Sequence, residues 1–321
     1  MPVMRFGDAD VASTGAFLIG ELERFDPQIY EPIADFTWSR DVPVREDVTI
    51  ADEVSSFITS EYAGGTSGTG HGTKAWAAQK SGTIPKIDVG FTKTTHPIIP
   101  WAMDVSYSII DLQKAMQAGR PIDTLKLEAM RMKHQRDIDE QVYIGDTETG
   151  ATGLLNNPSV GKGNVGTFDP DTASADDFLD MINTVLKASY QATEYNRVPD
   201  TILLPPDIMT FLSKPMVVGG TPLAMTVADW VRDKSLTYTV TGKALTMNPC
   251  RWLRLNGGYG FDKGRIVAYT NARDVVRFPL VKMQNTPIQF RGLDQSTIYY
   301  AALGQVEFVR PEMVYYGDMA D

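Results

Sequence analysis

The chain has 321 residues, 43% of them hydrophobic, with 30 Lys and Arg against 40 Asp and Glu for a formal charge of −10. That is enough apolar material for one large domain or two ordinary ones, and it excludes both an unfolded polar chain and a basic surface that grips nucleic acid. A single cysteine, Cys250, rules out an internal disulfide, and no run of the sequence approaches the ~18 apolar residues of a membrane span or the layout of a signal peptide.

Residues 1–48 carry Pro2, Pro27, Pro32 and Pro43 among isolated aromatics that include Phe25, Tyr30 and Trp38, without a sustained helical or strand period. This reads as an arm. Large aromatics are costly to leave in water, so the arm is expected to be held against a neighbouring chain, the alternative being the body of its own chain.

Residues 49–62 suit a strand, and over 84–92 the alternation is clean, with Ile87, Val89 and Phe91 one way and Lys86, Asp88 and Thr92 the other. Between them lies GGTSGTGHGTKAWAAQKSG, a flexible connection that makes 49–100 a projecting hairpin with a glycine-rich tip.

A helix is predicted over 121–144, about 35 Å long. Pro121 suits its first position, Asp123 complements its positive end, and Gly145 is placed to cap its C-terminus. Ile122, Leu125, Ala129, Met132 and Tyr143 fall on one side, while Leu127, Met130, His134, Ile138 and Val142 fall nearly opposite. Two apolar stripes imply two packing partners. The turn GDTETGATGLLNNP follows.

Ser174 with Asp177 forms a capping-box-like start for an amphipathic helix to about residue 193. A buried strand is expected at 201–204, short helices at 206–213 and 222–233, and strands at 266–270 and 274–278. From 287 to 316 the chain is strand-like, with Val306 and Phe308 alternating against Gln305 and Glu307. The mixture is α+β.

Little of this points to chemistry. GKGNVG at 161–166 has the letters of a dinucleotide loop without the strand before it or the helix after it. The histidines, His71, His96 and His134, have no second ligand at metal spacing, and the acidic cluster Asp169, Asp171, Asp176 and Asp177 lacks calcium-loop spacing. No catalytic, cofactor or metal site is expected, and Cys250 reads as a buried, idle thiol.

The stretch IPKIDVGFTKTTHPIIPWAMDVSYSIIDLQKAMQAGRPIDTLKLEAMRMKHQRDIDEQVYIGDTETGATGLLNNPSV is similar throughout to a family of phage major capsid proteins. The order of arm, hairpin, long helix, mixed α/β part and terminal strands resembles the same family across the remainder. The resemblance is specific over about residues 80–160 and architectural elsewhere. It implies the HK97-like fold of tailed-phage capsids, with an N-terminal arm at 1–48, an extended loop at 49–100, a peripheral domain at 101–150 and 286–321 containing the spine helix 121–144, and an axial domain at 151–285.

The resemblance further implies a non-enzymatic shell subunit in the virion, assembled in the host bacterial cytoplasm into pentamers and hexamers around double-stranded DNA that it does not bind sequence-specifically. Its partners would be other copies of itself, a portal protein, and a separate scaffold or decoration protein, since no scaffolding domain is expected to be fused here; no cofactor and no membrane are involved. The expected assembly contacts are Gly64, Gly65, Gly68, Gly70, Gly72 and Trp76 at the hairpin tip, with Phe25, Tyr30 and Trp38 in the arm. The alternatives are an encapsulin-like compartment shell with the same fold, and a soluble enzyme using the 161–166 loop or the acidic cluster.

Overall fold

The computed structural model describes residues 35–64, 87–117, 122–218, 221–255 and 264–319. The chain divides into two units, Met1–Asp35 and Phe36–Asp321, and the architecture below is that of the second. Phe25, Tyr30, Gly65, Gly68, Gly70, Gly72 and Trp76 lie outside the described residues.

The second unit opens with a short strap, helix α1 (Trp38–Asp41) and strand β1 (Val44–Arg45). A two-stranded antiparallel hairpin follows, β2 (Val54–Gly64) and β3 (Ile87–Pro97), in register from Val54 opposite Pro97 to Gly64 opposite Ile87. After a one-residue break at Ile98 the chain enters β4 (Ile99–Ser108), then helices α2 (Ile109–Gln117) and α3 (Ile122–Tyr143).

Along α3, Met130, His134, Ile138 and Val142 are buried at a spacing of four, so one apolar stripe packs on the chain. The opposite stripe is more open. Leu125 and Met132 are half-buried and Ala129 is exposed; only Tyr143, at the helix end, is fully enclosed on that side. Among the described residues, this second stripe is therefore only partly covered along most of its length.

The turn after α3 closes back on the helix. Gly145 has φ +80, and a Cβ there would run into the Ala151 carbonyl, as one at Gly153 would run into the Tyr143 carbonyl. These close approaches let β5 (Gly145–Asp146) pair with β6 (Ala151–Thr152). They also bring the amides of Leu154 and Leu155 onto the carbonyls of Val142 and Tyr143 at 2.7 and 3.1 Å, and Asn156 donates to the Ile144 carbonyl at 2.7 Å. The last carbonyls of the helix, which have no partner within it, are satisfied by this turn.

The next elements are β7 (Gly161–Asn164), α4 (Ala175–Ala192), β8 (Thr201–Leu204), α5 (Pro206–Leu212), β9 (Pro215–Val218), β10 (Thr221–Thr226), α6 (Val227–Lys234), α7 (Leu236–Thr241), β11 (Thr246–Pro249) and β12 (Arg265–Tyr269). The chain ends through β13 (Val276–Asn285), β14 (Gln289–Arg291), β15 (Asp294–Leu303), β16 (Glu307–Phe308) and β17 (Val314–Asp318). The capping box at α4 forms as read, Ser174 accepting from the Asp177 amide at 3.1 Å. The helix expected at 222–233 starts instead at Val227, because Thr226 caps it by accepting from the Asp229 amide, and Pro222 lies in a β9–β10 hairpin.

Two sheets organise the unit. A six-stranded sheet runs β1-β13-β15-β14 with β4 also on β15 and β16 also on β13; a five-stranded sheet runs β11-β8-β12-β17-β7. The five-stranded sheet is covered on both faces. Leu203, Val267, Tyr269, Val314 and Tyr316 face a core shared with the end of α3 and with Phe278 and Leu303, while Ile202, Leu204, Ile266 and Ala268 face α4. Double burial explains why these strands read as unbroken apolar runs.

The sheets do not divide the chain where the sequence-based boundaries fall. β13, within 151–285, belongs to the six-stranded sheet, and β17, within 286–321, belongs to the five-stranded one. The 161–166 segment, read as a loop, is largely the edge strand β7: Gly161 and Gly163 leave room for the Tyr315 ring to lie across it.

Candidate functional site

The β2–β3 hairpin has two unlike faces, set by strand alternation. Val54, Ile58 and Tyr62 share one face with Ile87, Val89 and Phe91, and all are exposed, Tyr62, Ile87 and Phe91 at 73–74%. The opposite face carries Ser55, Thr59, Glu61, Asp88, Thr92 and His96, with Phe57 half-buried among them near the root. A two-stranded ribbon is marginal in water by itself, whereas each such apolar side chain contributes about 1.5–3 kcal/mol when fully buried. This face is built to be covered.

At its root the hairpin is bolted to the six-stranded sheet through Glu307, whose side chain is wholly buried. Arg277 donates to it at 2.6 Å, Arg45 at 3.2 and 3.3 Å, and the Ser55 hydroxyl donates to the same carboxylate. Arg45 also reaches the Ser56 carbonyl at 3.2 Å and Asp47 at 2.6 Å. The cluster joins β1, β2, β13 and β16. His96, opposite Ser55, lies beside it with its ring centroid 6.1 Å from that of Phe57; burial pushes the imidazole pKa down, against the attraction of Glu307. Alternation in QVEFV suggests an outward Glu307; the structure places it inside because two arginines meet it there.

The strap is sewn down by two buried carboxylates. Asp41 accepts from Arg40 at 2.7 and 2.9 Å, from Asn248 at 3.1 Å and from the Tyr143 hydroxyl, and its carbonyl accepts from Tyr269 at 2.8 Å. Asp139 of α3 accepts from Trp252 and Arg251, each at 2.7 Å, and from the Thr37 amide at 3.3 Å. The Tyr143 hydroxyl is held far above its usual range, chiefly by burial, and burial likewise pushes the Cys250 thiol up to about 12.

Of the residues expected at assembly contacts, Gly64 ends β2 opposite Ile87. Trp38 corrects the expectation: it is 8% exposed, packs in the core of its own chain and donates to Gln135 at 3.0 Å. The tip and arm residues named above lie outside the described residues. A second apolar patch, Ile110, Ile288, Phe290 and Leu293, is exposed at the far end of the six-stranded sheet, where the Ile109 amide meets the Leu293 carbonyl at 2.9 Å. Ile110 belongs to α2 and the other three to β14 and the residues flanking it, so no single stretch of sequence announces the patch.

Among the described residues no group of three or more His, Cys, Asp or Glu side chains is arranged to hold a metal ion, and no helix is long and apolar enough to cross a membrane. The features that stand out are surfaces and anchors.

The fold is shared with solved phage structures. The capsid of the Myoviridae phage XM1 matches with a TM-score of 0.76 at 17% identity, covering 94% of this chain and 98% of that one. A structure from Mycobacterium phage Adephagia matches at 0.59 and 12% identity, covering 99% of each chain. A virus-like particle from Pyrococcus furiosus matches at 0.50 and 13% identity, over 87% of this chain and 91% of that one. No curated protein sequence matches the chain. A sequence-family profile described as major capsid protein matches residues 72–319. With that match over most of its length, on a fold held in common with phage shells, the chain belongs to the major capsid protein family and has the HK97-like fold.

Proposed function

We propose that the protein is the shell subunit of a tailed-phage head, assembling into pentamers and hexamers that close around double-stranded DNA. The observation that carries this reading is the hairpin: an exposed apolar face on a ribbon whose root is clamped by a buried charge cluster. In this reading its aim is fixed by its own chain and its covering comes from another. Interfaces of about 1,600 Å² repeated around each subunit would close a stable container from individually modest contacts.

In this reading the six-stranded sheet with α3 is the peripheral domain, and the five-stranded sheet with α4 is the axial domain. The formal charge of −10 suits a wall that packaged DNA slides past. Assembly takes place in the host cytoplasm, with a portal protein and a separate scaffold or decoration protein as partners.

Expression of the full chain alone, followed by electron microscopy, tests the reading. Closed particles or rings are expected, and a monodisperse species of one to four chains under every assembly condition overturns it. DNA inside shells purified from infected cells separates a phage head from an enzyme-filled compartment.

A further inference from the structure

The contact between α3 and the six-stranded sheet contains an imidazole in an unusual setting. His134 is 5% exposed, its ring centroid lies 4.4 Å from that of Trp101 on β4, and its Nδ1 has no hydrogen-bond partner among the described residues. The Trp101 indole N–H donates at 3.0 Å to Asp137, one turn further along α3, and Lys133 pairs with the same carboxylate. Beside this contact opens a cavity of about 270 Å³ lined by Trp101, Asp137, Glu140, Gln141 and Asp146, among others.

We propose that His134 is a proton-sensitive joint, holding the long helix against β4 when neutral and loosening it when charged. A neutral imidazole tolerates this place, leaving one ring nitrogen unused. A protonated one presents two N–H donors and a charge where Nδ1 meets no acceptor, which is costly out of water.

Asp137, the charged group that acts on the ring, stands on α3 with its partner Lys133, and Glu140 and Asp146 line the adjoining cavity, while β4 contributes Trp101 and the strap brings Trp38 onto neighbouring Gln135, neither of which titrates. Asp137 attracts the proton, yet burial outweighs it and keeps the ring pKa below the usual histidine range. Asp137 is also already engaged by Trp101 and Lys133, so capture of the imidazolium by Asp137 would compete with the Trp101 bond that ties β4 to the helix. Either outcome loosens the same contact. The inference concerns one chain and does not depend on the shell reading.

Hydrogen exchange of the full-length chain between pH 7.5 and 5, corrected for intrinsic exchange rates, tests it on peptides covering β4 and α3, with α4 as internal control. Below the ordinary histidine range, protection in β4 and α3 is expected to fall with a slope approaching tenfold per pH unit, the limit for uptake of one proton, while α4 stays level. The variant His134→Phe, which keeps a ring against Trp101, is expected to flatten that response. Wild-type protection that does not change with pH, or a variant with the wild-type slope, overturns the proposal. Should the variant not fold, carbon-13 labelled histidine in the wild type decides: the His134 ring is expected to titrate below an exposed histidine together with a shift of the Trp101 indole signal. An ordinary titration, or an indole signal that does not move with it, overturns the joint.

Discussion

Across the β13–β16 pair Arg277 stands directly opposite Glu307, and its Nε lies 2.6 Å from an oxygen of a carboxylate that is wholly out of water. Arg45 closes the other side of the same carboxylate, so one buried acid ties together the strap, the hairpin root and the sheet. Removing a single partner from such a cluster leaves buried charge without compensation. Glu307→Ala is therefore expected to cost about 3 kcal/mol, the low end for a broken buried pair because both arginines keep some contact with water. Denaturant titration of the unassembled subunit measures this, and a loss below 1 kcal/mol contradicts it.

The apolar hairpin face predicts the opposite separation of effects. Ile58 and Phe91 are 65% and 73% exposed, so Ile58→Ser with Phe91→Ser is expected to change subunit stability by no more than about 0.5 kcal/mol for each. Particle formation, followed by sedimentation or light scattering, is expected to fail. Normal shells from the double variant would remove the role given to this face.

The helix stop at Gly145 is strict. Its φ of +80 is in the left-handed region, and a Cβ would collide with the Ala151 carbonyl. Gly145→Ala is expected to destabilise the subunit by about 1–3 kcal/mol, whereas Gly150→Ala, at φ +71 with open space around it, should show the conformational part alone. Thermal unfolding of the two variants side by side separates collision from backbone strain.

Alkali should undo the core near the strap. Cys250, Tyr143, Tyr269 and Tyr316 are all held in the protonated form in the folded chain, chiefly by burial. Their folded pKa values lie above the unfolded ones, so their contribution is present in full below the unfolded values of 9.0 for the thiol and 10.0 for the phenols and is lost as pH rises through and beyond them. Unfolding midpoints measured from pH 7 to 11 are expected to fall above pH 9. Cys250 should meanwhile resist iodoacetamide in the folded chain at pH 8 and react once the chain unfolds, since the thiolate is the reactive form.

Local chemistry was the most legible part of the sequence. The Ser174 cap, the end of the long helix at Gly145 and the alternation of Ile87, Val89 and Phe91 each depend on residues a few positions apart. The partners of those elements depend on contacts across hundreds of positions. Nothing near Val314 states that β17 joins β12 and β7, and nothing near Glu307 states that Arg45 will meet it from 262 residues away. Trp38 shows the same limit. An isolated aromatic in a proline-bearing segment reads alike whether it covers a neighbour or its own chain, and only the Gln135 bond and the surrounding core decide.

The position of β17 bears on the order in which the molecule is made. It lies inside the five-stranded sheet, between β12 and β7, and among the described residues β7 has no other strand to pair with there. Until residue 318 has left the ribosome, β12 keeps an open edge and the Tyr315 ring is not yet across Gly161 and Gly163. The five-stranded sheet is therefore completed only once residue 318 has been translated. A chain halted before β17 leaves β12 with an unpaired edge.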